Sequence, residues 1–309
     1  MRTFALVKII GLCLILALGL GIAGPGPWDG YPMSFENKGR VVTVNSQPKK
    51  VLTYGVPAAE IMAALGLSQF VVGQAYAGEG LLPEFEEALK GVPKIYAASQ
   101  ARRKITQGAD FIIGRFKPDA LELTWDWLPV YVLETKSLEE FYQQVRDLGR
   151  IFRIETQAEK VLTKLNESLA RTTGVLKNYE PVKALVLDQR EDGSYVAGGM
   201  DFESRLVNLA GGNNIFADQP GWSKVPAEEI LARQPEAVVI LAYGSVQPEL
   251  RLADLKADPI LSNLDAVAHD KILVLPFYTM ESGIRSALAV DALARFFHPS
   301  LFNAPDPGP

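Results

Sequence analysis

Apolar positions along the chain come in two textures, short solid runs and stripes at helical spacing, and the two alternate. A short alternating segment over 40–43 precedes the solid run Val51–Tyr54, which lies between Pro48 and Gly55. A stripe of Ile61, Met62 and Leu65 follows, stopped by Gly66. Further strands are predicted over 70–76, 93–98, 111–113 and 130–133, with helices over 82–89 and just ahead of 111. Strands that alternate with helices, without hairpin turn signals, predict a parallel sheet covered on both faces.

The pattern changes at Ser137, which opens a capping box with Glu140 ahead of Phe141, Val145, Leu148 and Phe152. Thr156 and Glu159 spell a second box, followed by an apolar stripe of Val161, Leu162, Leu165 and Leu169. With no Gly before Gly174 and no Pro before Pro181, the helix predicted over 156–177 is about 33 Å long, the width of a domain. Alternation then resumes: strands in "KALVLDQ", "SYVAGG", "AVVILAYG" and "KILVLPFY", helices in "DFESRLVNLAGG", "PAEEILARQ", "LRLADLKADPIL" and "GIRSALAVDALARFF". The expected architecture is α/β, two Rossmann-like lobes with mainly parallel sheets joined by one long α-helix. Its expected parts are a linker over 24–35, an N-terminal lobe over 36–136, a connecting helical segment over 137–180, a C-terminal lobe over 181–303 and a frayed tail over 304–309.

The first 23 residues stand apart. Arg2 and Lys8 flank the start of an acid-free apolar stretch, and Gly21 and Ala23 supply the small residues of a cleavage point. A signal peptide cleaved near Ala23 and export to the periplasm, or another extracytoplasmic space, are expected. Retention as a membrane anchor is the other reading of the same residues. The sole cysteine, Cys13, lies inside this stretch behind Leu12 rather than a small residue, so lipidation there is not expected. A mature chain without thiols has neither disulfides nor Cys-ligated metal. The spelling "GLGIAG" has no βαβ context and carries no nucleotide site. Formal net charge falls from −5 to −7 once Arg2 and Lys8 leave, and no basic run argues for nucleic acid.

No phosphate-binding loop, zinc-protease helix or nucleophile elbow is spelled anywhere. The two histidines, His269 in a polar turn and His298 before Pro299, offer no convergent donor set for a directly bound metal. No catalytic constellation is found, and a non-enzymatic binding role is expected, with an exported α/β enzyme as the rival class.

Several segments, in order, resemble the periplasmic substrate-binding proteins of ABC importers for ferric siderophores, cobalamin and haem, the class with two lobes on a helical backbone. They are "GRVVTVNSQPKKVLTYGVPAAEIMAALGLSQFVVG", "LVNLAGGNNIFAD", "WSKVPAEEILARQPEAVVI", "LDAVAHDKILVLP" and "GIRSALAVDALARFFHP". The resemblance implies a monomeric protein that captures a chelated metal complex, with a ferric siderophore expected first and cobalamin or haem as alternatives. No cofactor or directly bound metal is implied; the ligand would be a chelated ferric ion. Delivery would be to an ABC permease and its ATPase.

In a doubly wound sheet, ligands bind beyond the carboxyl ends of the strands. Tyr54, Tyr76, Tyr96, Tyr243 and Tyr278 fall at or just past predicted strand ends. A phenol presents a flat apolar face and one hydroxyl, suited to an organic chelate; each ring could equally plug a lobe edge. Arg115, just past a strand, and Arg285, in the first turn of the last helix beside the loop after "LVLPFY", are the candidate cations for an anionic chelate. The resemblance adds Trp222, in a loop where related proteins present an aromatic to the ligand, and Glu228 as the permease-docking acid of the C-terminal lobe. The matching amino-lobe position holds Arg102 where relatives have Glu, and no substitute is nominated.

Overall fold

The computed structural model describes residues 30–75, 80–96, 98–115, 128–243 and 248–302. The expected signal peptide, Tyr76 and the tail lie outside them. A hairpin of β1 (Met33–Asn37) and β2 (Arg40–Val44) comes first, turning through Lys38 and Gly39, both at positive φ. It begins three residues ahead of the expected lobe boundary. Asn37 fixes it to the lobe by exchanging hydrogen bonds of 3.0 and 2.8 Å with the Val132 backbone.

The first lobe contains β3 (Val51–Tyr54), α1 (Val56–Ala64), β4 (Val71–Ala75), α2 (Pro83–Glu86), β5 (Lys94–Ile95), α3 (Ala98–Thr106), β6 (Phe111–Gly114) and β7 (Val130–Val132). The strands form one parallel sheet in the order β5-β4-β3-β6-β7. Both β3 and β6 are buried at every position, which is why they read as solid apolar runs rather than alternating ones. From β3 the chain winds outward to β5 and then crosses back to β6. That reversal opens a crevice beyond the carboxyl ends of β3 and β6. The strand expected over 93–98 shrinks to two residues at the sheet edge, and the helix over 82–89 to one turn.

Between the lobes stand α4 (Leu138–Phe152) and α5 (Glu155–Val175). Ser137 caps α4, its Oγ accepting from the Glu140 amide at 3.1 Å. The second capping box does not form: α5 starts at Glu155 behind Ile154, and Thr156 lies inside the helix. The reason is the turn, in which only Arg153, at φ 57°, and Ile154 separate the helices. The helices close on each other at Gly149, where a Cβ would stand 2.8 Å from that of Ala158. At 21 residues α5 is about 32 Å long, as its stripe predicts.

The second lobe contains β8 (Val182–Arg190), β9 (Gly193–Val196), α6 (Phe202–Leu209), β10 (Gly212–Asn214), β11 (Ser223–Val225), α7 (Ala227–Arg233), β12 (Ala237–Ala242), α8 (Pro248–Ala257), α9 (Asp265–Ala268), β13 (Ile272–Pro276), α10 (Ser286–Phe297) and α11 (Pro299–Phe302). Its sheet runs β11-β9-β8-β12-β13, with β10 also on β8. It is mixed: β9 is antiparallel to both β8 and β11, while β10, β12 and β13 run parallel to their partners. The three-residue strands β10 and β11 are too short to show a period in the sequence. One apolar core runs from Val51 and Phe111 of the first lobe through Phe152, Leu162 and Leu293 to Ala184 and Val239 of the second. The remote faces of the two sheets have smaller cores of their own.

Candidate site between the strand ends

The carboxyl ends of the two sheets meet around Arg115, Glu281, Phe277 and Tyr243. Gly114 ends β6 so close to β3 that a Cβ would collide with the Tyr54 backbone, and the next amide, that of Arg115, bonds the Tyr54 carbonyl at 3.4 Å. Arg115 therefore leaves the sheet at a fixed point and crosses to the second lobe. There its guanidinium pairs with Glu281 and lies 5.1 Å from the centroid of the Phe277 ring. Phe277, just past β13, stacks on Tyr243, just past β12, with centroids 4.0 Å apart and planes 25° from parallel. The result is a layer of guanidinium, phenyl and phenol built from both lobes.

Charge is unevenly settled here. Burial pulls the Arg115 pKa down, but the attraction of Glu281, then of Glu203 and Glu134, leaves it above the ordinary arginine value. Burial lifts the Tyr243 phenol well above the usual tyrosine range, with Asp188 and Glu203 adding to the shift. Glu203, in the first turn of α6, is 5% exposed. Loss of water raises its carboxyl pKa to about 7; its own backbone amide and Arg115 oppose that rise, and Asp201 and Glu281 reinforce it.

A second bridge crosses the lobes behind the first. Arg285, 7% exposed, gives hydrogen bonds of 2.7 and 2.5 Å to both oxygens of Glu60, a fully buried residue of α1. It also donates to the Gly80 carbonyl, and the Tyr278 ring lies 4.8 Å from its guanidinium carbon. Gly80 has φ 91° and packs so tightly on Tyr278 that no Cβ fits. Arg285 thus has a bidentate acid partner rather than the free fork expected of a ligand-binding cation.

Of the other candidates, Tyr54 is buried in the first lobe with Leu52, Ala75, Ile95 and Ile112, a core position rather than a cleft rim, because β3 is the central strand. Tyr96 is 63% exposed beyond edge strand β5. Trp222 is half-buried ahead of β11, its amide bonded to Asp201. Glu228 is exposed in the first turn of α7, and Arg102 lies within α3. His269 is exposed with Nδ1 2.8 Å from the Asp265 carbonyl, and His298 packs against the Gly211 carbonyl at 3.0 Å. Among the described residues no group of three or more His, Cys, Asp or Glu could hold a metal ion. The sequence reading missed Phe277, Glu281, Glu203 and Glu60. Only the last two leave a trace, as acids inside the apolar stripes "VPAAEIMAA" and "DFESRL". A groove of about 990 Å³ lies elsewhere, between α5 and the start of α10.

A family model described as "Periplasmic binding protein" matches residues 96–279. The chain belongs to that family. The uncharacterized ABC transporter substrate-binding lipoprotein YvrC of Bacillus subtilis is 22% identical over 88% of both chains. A vitamin B12-binding protein of Pectobacterium carotovorum is 28% identical over 37% of this chain, a match that spans only 42% of that protein. A cobalamin-binding protein of Halobacterium salinarum is 21% identical over 88% of this chain and 78% of its own. Among solved structures, a periplasmic binding protein from Veillonella parvula superposes with a TM-score of 0.75 at 21% identity, over 86% of this chain and 97% of that one. An ABC-type Fe3+-hydroxamate transport protein from Saccharomonospora viridis gives 0.71 at 23%, over 89% and 100%. These structures establish the two-lobed fold of this periplasmic binding protein.

Proposed function

We propose that this periplasmic binding protein works outside the cytoplasm, capturing a chelated metal complex in the cleft and passing it to an ABC permease. Within that class a corrinoid fits better than the anionic ferric siderophore that the sequence favours. The observation that carries this preference is the pairing of both candidate cations, Arg115 with Glu281 and Arg285 with Glu60. What remains for a ligand is aromatic surface, chiefly the Tyr243–Phe277 stack, which suits a large uncharged face. Two relatives are named for vitamin B12 or cobalamin, in line with this choice. The siderophore reading keeps one support: the Arg115 side chain is 40% exposed and could turn from Glu281 to an anion. Glu228, exposed on α7, is the docking acid on the permease side.

Titration of the mature chain with cyanocobalamin, a ferric hydroxamate and haemin, followed by calorimetry, decides among them. Cyanocobalamin is expected to bind tightest, and Tyr243→Ala to weaken it about tenfold, the order of one buried aromatic contact. Tighter binding of the hydroxamate, lost in Arg115→Ala, would restore the siderophore reading. Failure of all three to bind the wild type would overturn the proposed function.

A further inference from the structure

The topology of the second sheet brings forward a cation that the binding role above does not use. From β8 the chain turns to β9 and β11 on one side and returns through β12 to β13 on the other. That divergence opens the crevice of this lobe beyond the carboxyl ends of β8 and β12. Strand β8 ends at Arg190, one residue beyond the strand predicted as "KALVLDQ". In the β8–β12 register Leu187 lies beside Ile240, so three residues further on Arg190 stands beside Tyr243, the phenol of the cleft stack. Strand alternation puts Asp188 and Arg190 on the face that carries Val186 into the shared core, and Tyr195, opposite Asp188 on β9, shares that face.

The Arg190 side chain is tethered and still open. Its Nε donates to Asp188 at 2.6 Å, and its guanidinium carbon lies 4.1 Å from the centroid of the Tyr195 ring. Asp188 is 2% exposed, yet the Arg190 side chain is 48% exposed. Among the described residues its two terminal nitrogens have no hydrogen-bond partner. Arg115 and Arg285, by contrast, give terminal nitrogens to their acids. A guanidinium plane held at one edge and on one face is a donor oriented before any ligand arrives. Arg190 and Tyr243 also feel each other's charge, as neighbours at one crevice should.

We propose that Arg190 is a specificity-determining residue of the ligand cleft, donating from its terminal N–H groups to an uncharged oxygen of the bound chelate, such as a corrinoid side-chain amide. The inference rests on the cleft being the ligand site, as proposed above. Asp188 sets the preference. Its carboxylate offsets the guanidinium charge, so an incoming carboxylate gains little attraction and still gives up its water. A neutral carbonyl gains a hydrogen bond from a charged donor at a smaller cost. Removing the Asp188 charge would uncover the cation and turn the same position towards anions.

The test is calorimetric titration with cyanocobalamin and with haemin, whose propionates are ionised at neutral pH. The proteins are the wild type, Asp188→Asn, and the double variant Asp188→Asn with Arg190→Met. The double variant leaves no unpaired buried charge, and Met keeps an apolar contact for Tyr195; its melting temperature checks that it folds. It is expected to bind cyanocobalamin about tenfold more weakly than the wild type, the worth of one hydrogen bond from a charged donor. Asp188→Asn alone should hold cyanocobalamin within about twofold and bind haemin about tenfold more tightly, as the guanidinium loses its partner charge. A folded double variant that matches the wild type for cyanocobalamin, or an Asp188→Asn variant with unchanged haemin affinity, overturns this proposal and leaves the proposed function standing. So does a wild type that binds the ferric hydroxamate or haemin but not cyanocobalamin. Absence of binding by the wild type to all three overturns both.

Discussion

Glu60 and Arg285 stand 225 residues apart in the chain and form a bidentate pair with scarcely any access to water. Removing one member of such a pair leaves the other charge buried without compensation, at about 3–5 kcal/mol, whereas replacing both by apolar residues can be nearly neutral. Glu60→Ala and Arg285→Ala are each expected to lower the free energy of unfolding measured in urea by an amount in that range, and Glu60→Leu with Arg285→Leu to recover most of the loss. Equal losses in the single and double variants would show that packing around the two residues, not their charge, is what matters. Neither partner names the other in the sequence. Arg285 reads as a ligand cation because it falls in the first turn of the last helix, beside the loop after a strand, and the acid that claims it is visible only as an odd carboxylate in the apolar helix α1.

At the scale of elements, the chain spells two capping boxes and uses one. Ser137 has an extended backbone and a free turn ahead of α4, so its hydroxyl reaches the Glu140 amide. Thr156 has the same sequence context but is overtaken by a helix that has already begun at Glu155. Ser137→Ala is expected to cost about 1 kcal/mol, and Thr156→Ala well under half of that, as measured by denaturant unfolding. A loss at Thr156 as large as that at Ser137 would mean that α5 starts later than described. Strand recognition divides in a similar way. The central strands β3, β6, β8 and β12 are solid apolar runs because covering helices bury both their faces. Edge pieces such as β5, β10 and β11 are two or three residues long, held by neighbours rather than by their own pattern.

For the molecule as a whole, the lobes are joined by more than the connecting helices. A continuous apolar core, the Glu60–Arg285 pair and the Arg115–Glu281 pair all cross between them. The first two are shielded from water and set a rigid frame; the third is partly exposed at Arg115 and is the bridge that can open. Wide hinge closure would have to tear the shared core, so ligand entry is expected to proceed through local release of the 277–281 segment, ahead of the Arg285 anchor. Arg115→Ala should leave global stability within about 1 kcal/mol of the wild type, since a partly exposed pair is worth little. The same change should speed amide hydrogen exchange in 277–281. Exchange that accelerates throughout the second lobe would instead show that the pair holds the lobes together.

By itself the sequence determined the class of the fold, because solid and striped apolar runs are local signals, and their alternation leaves a covered parallel sheet as the economical way to bury them. It also determined the position of the long connector and, through ordered motifs, the family. Which strand-end residues face a ligand was decided only by the tertiary structure. Tyr54 and Tyr243 occupy equivalent places at or just past strand ends, yet one ring lies in the core and the other is stacked at the cleft, while Arg285, at the start of the last long helix, is spent on a buried acid. The physical reason is that burial and charge pairing depend on what arrives from the other lobe, and the electrostatic partners of a residue are not neighbours in the chain.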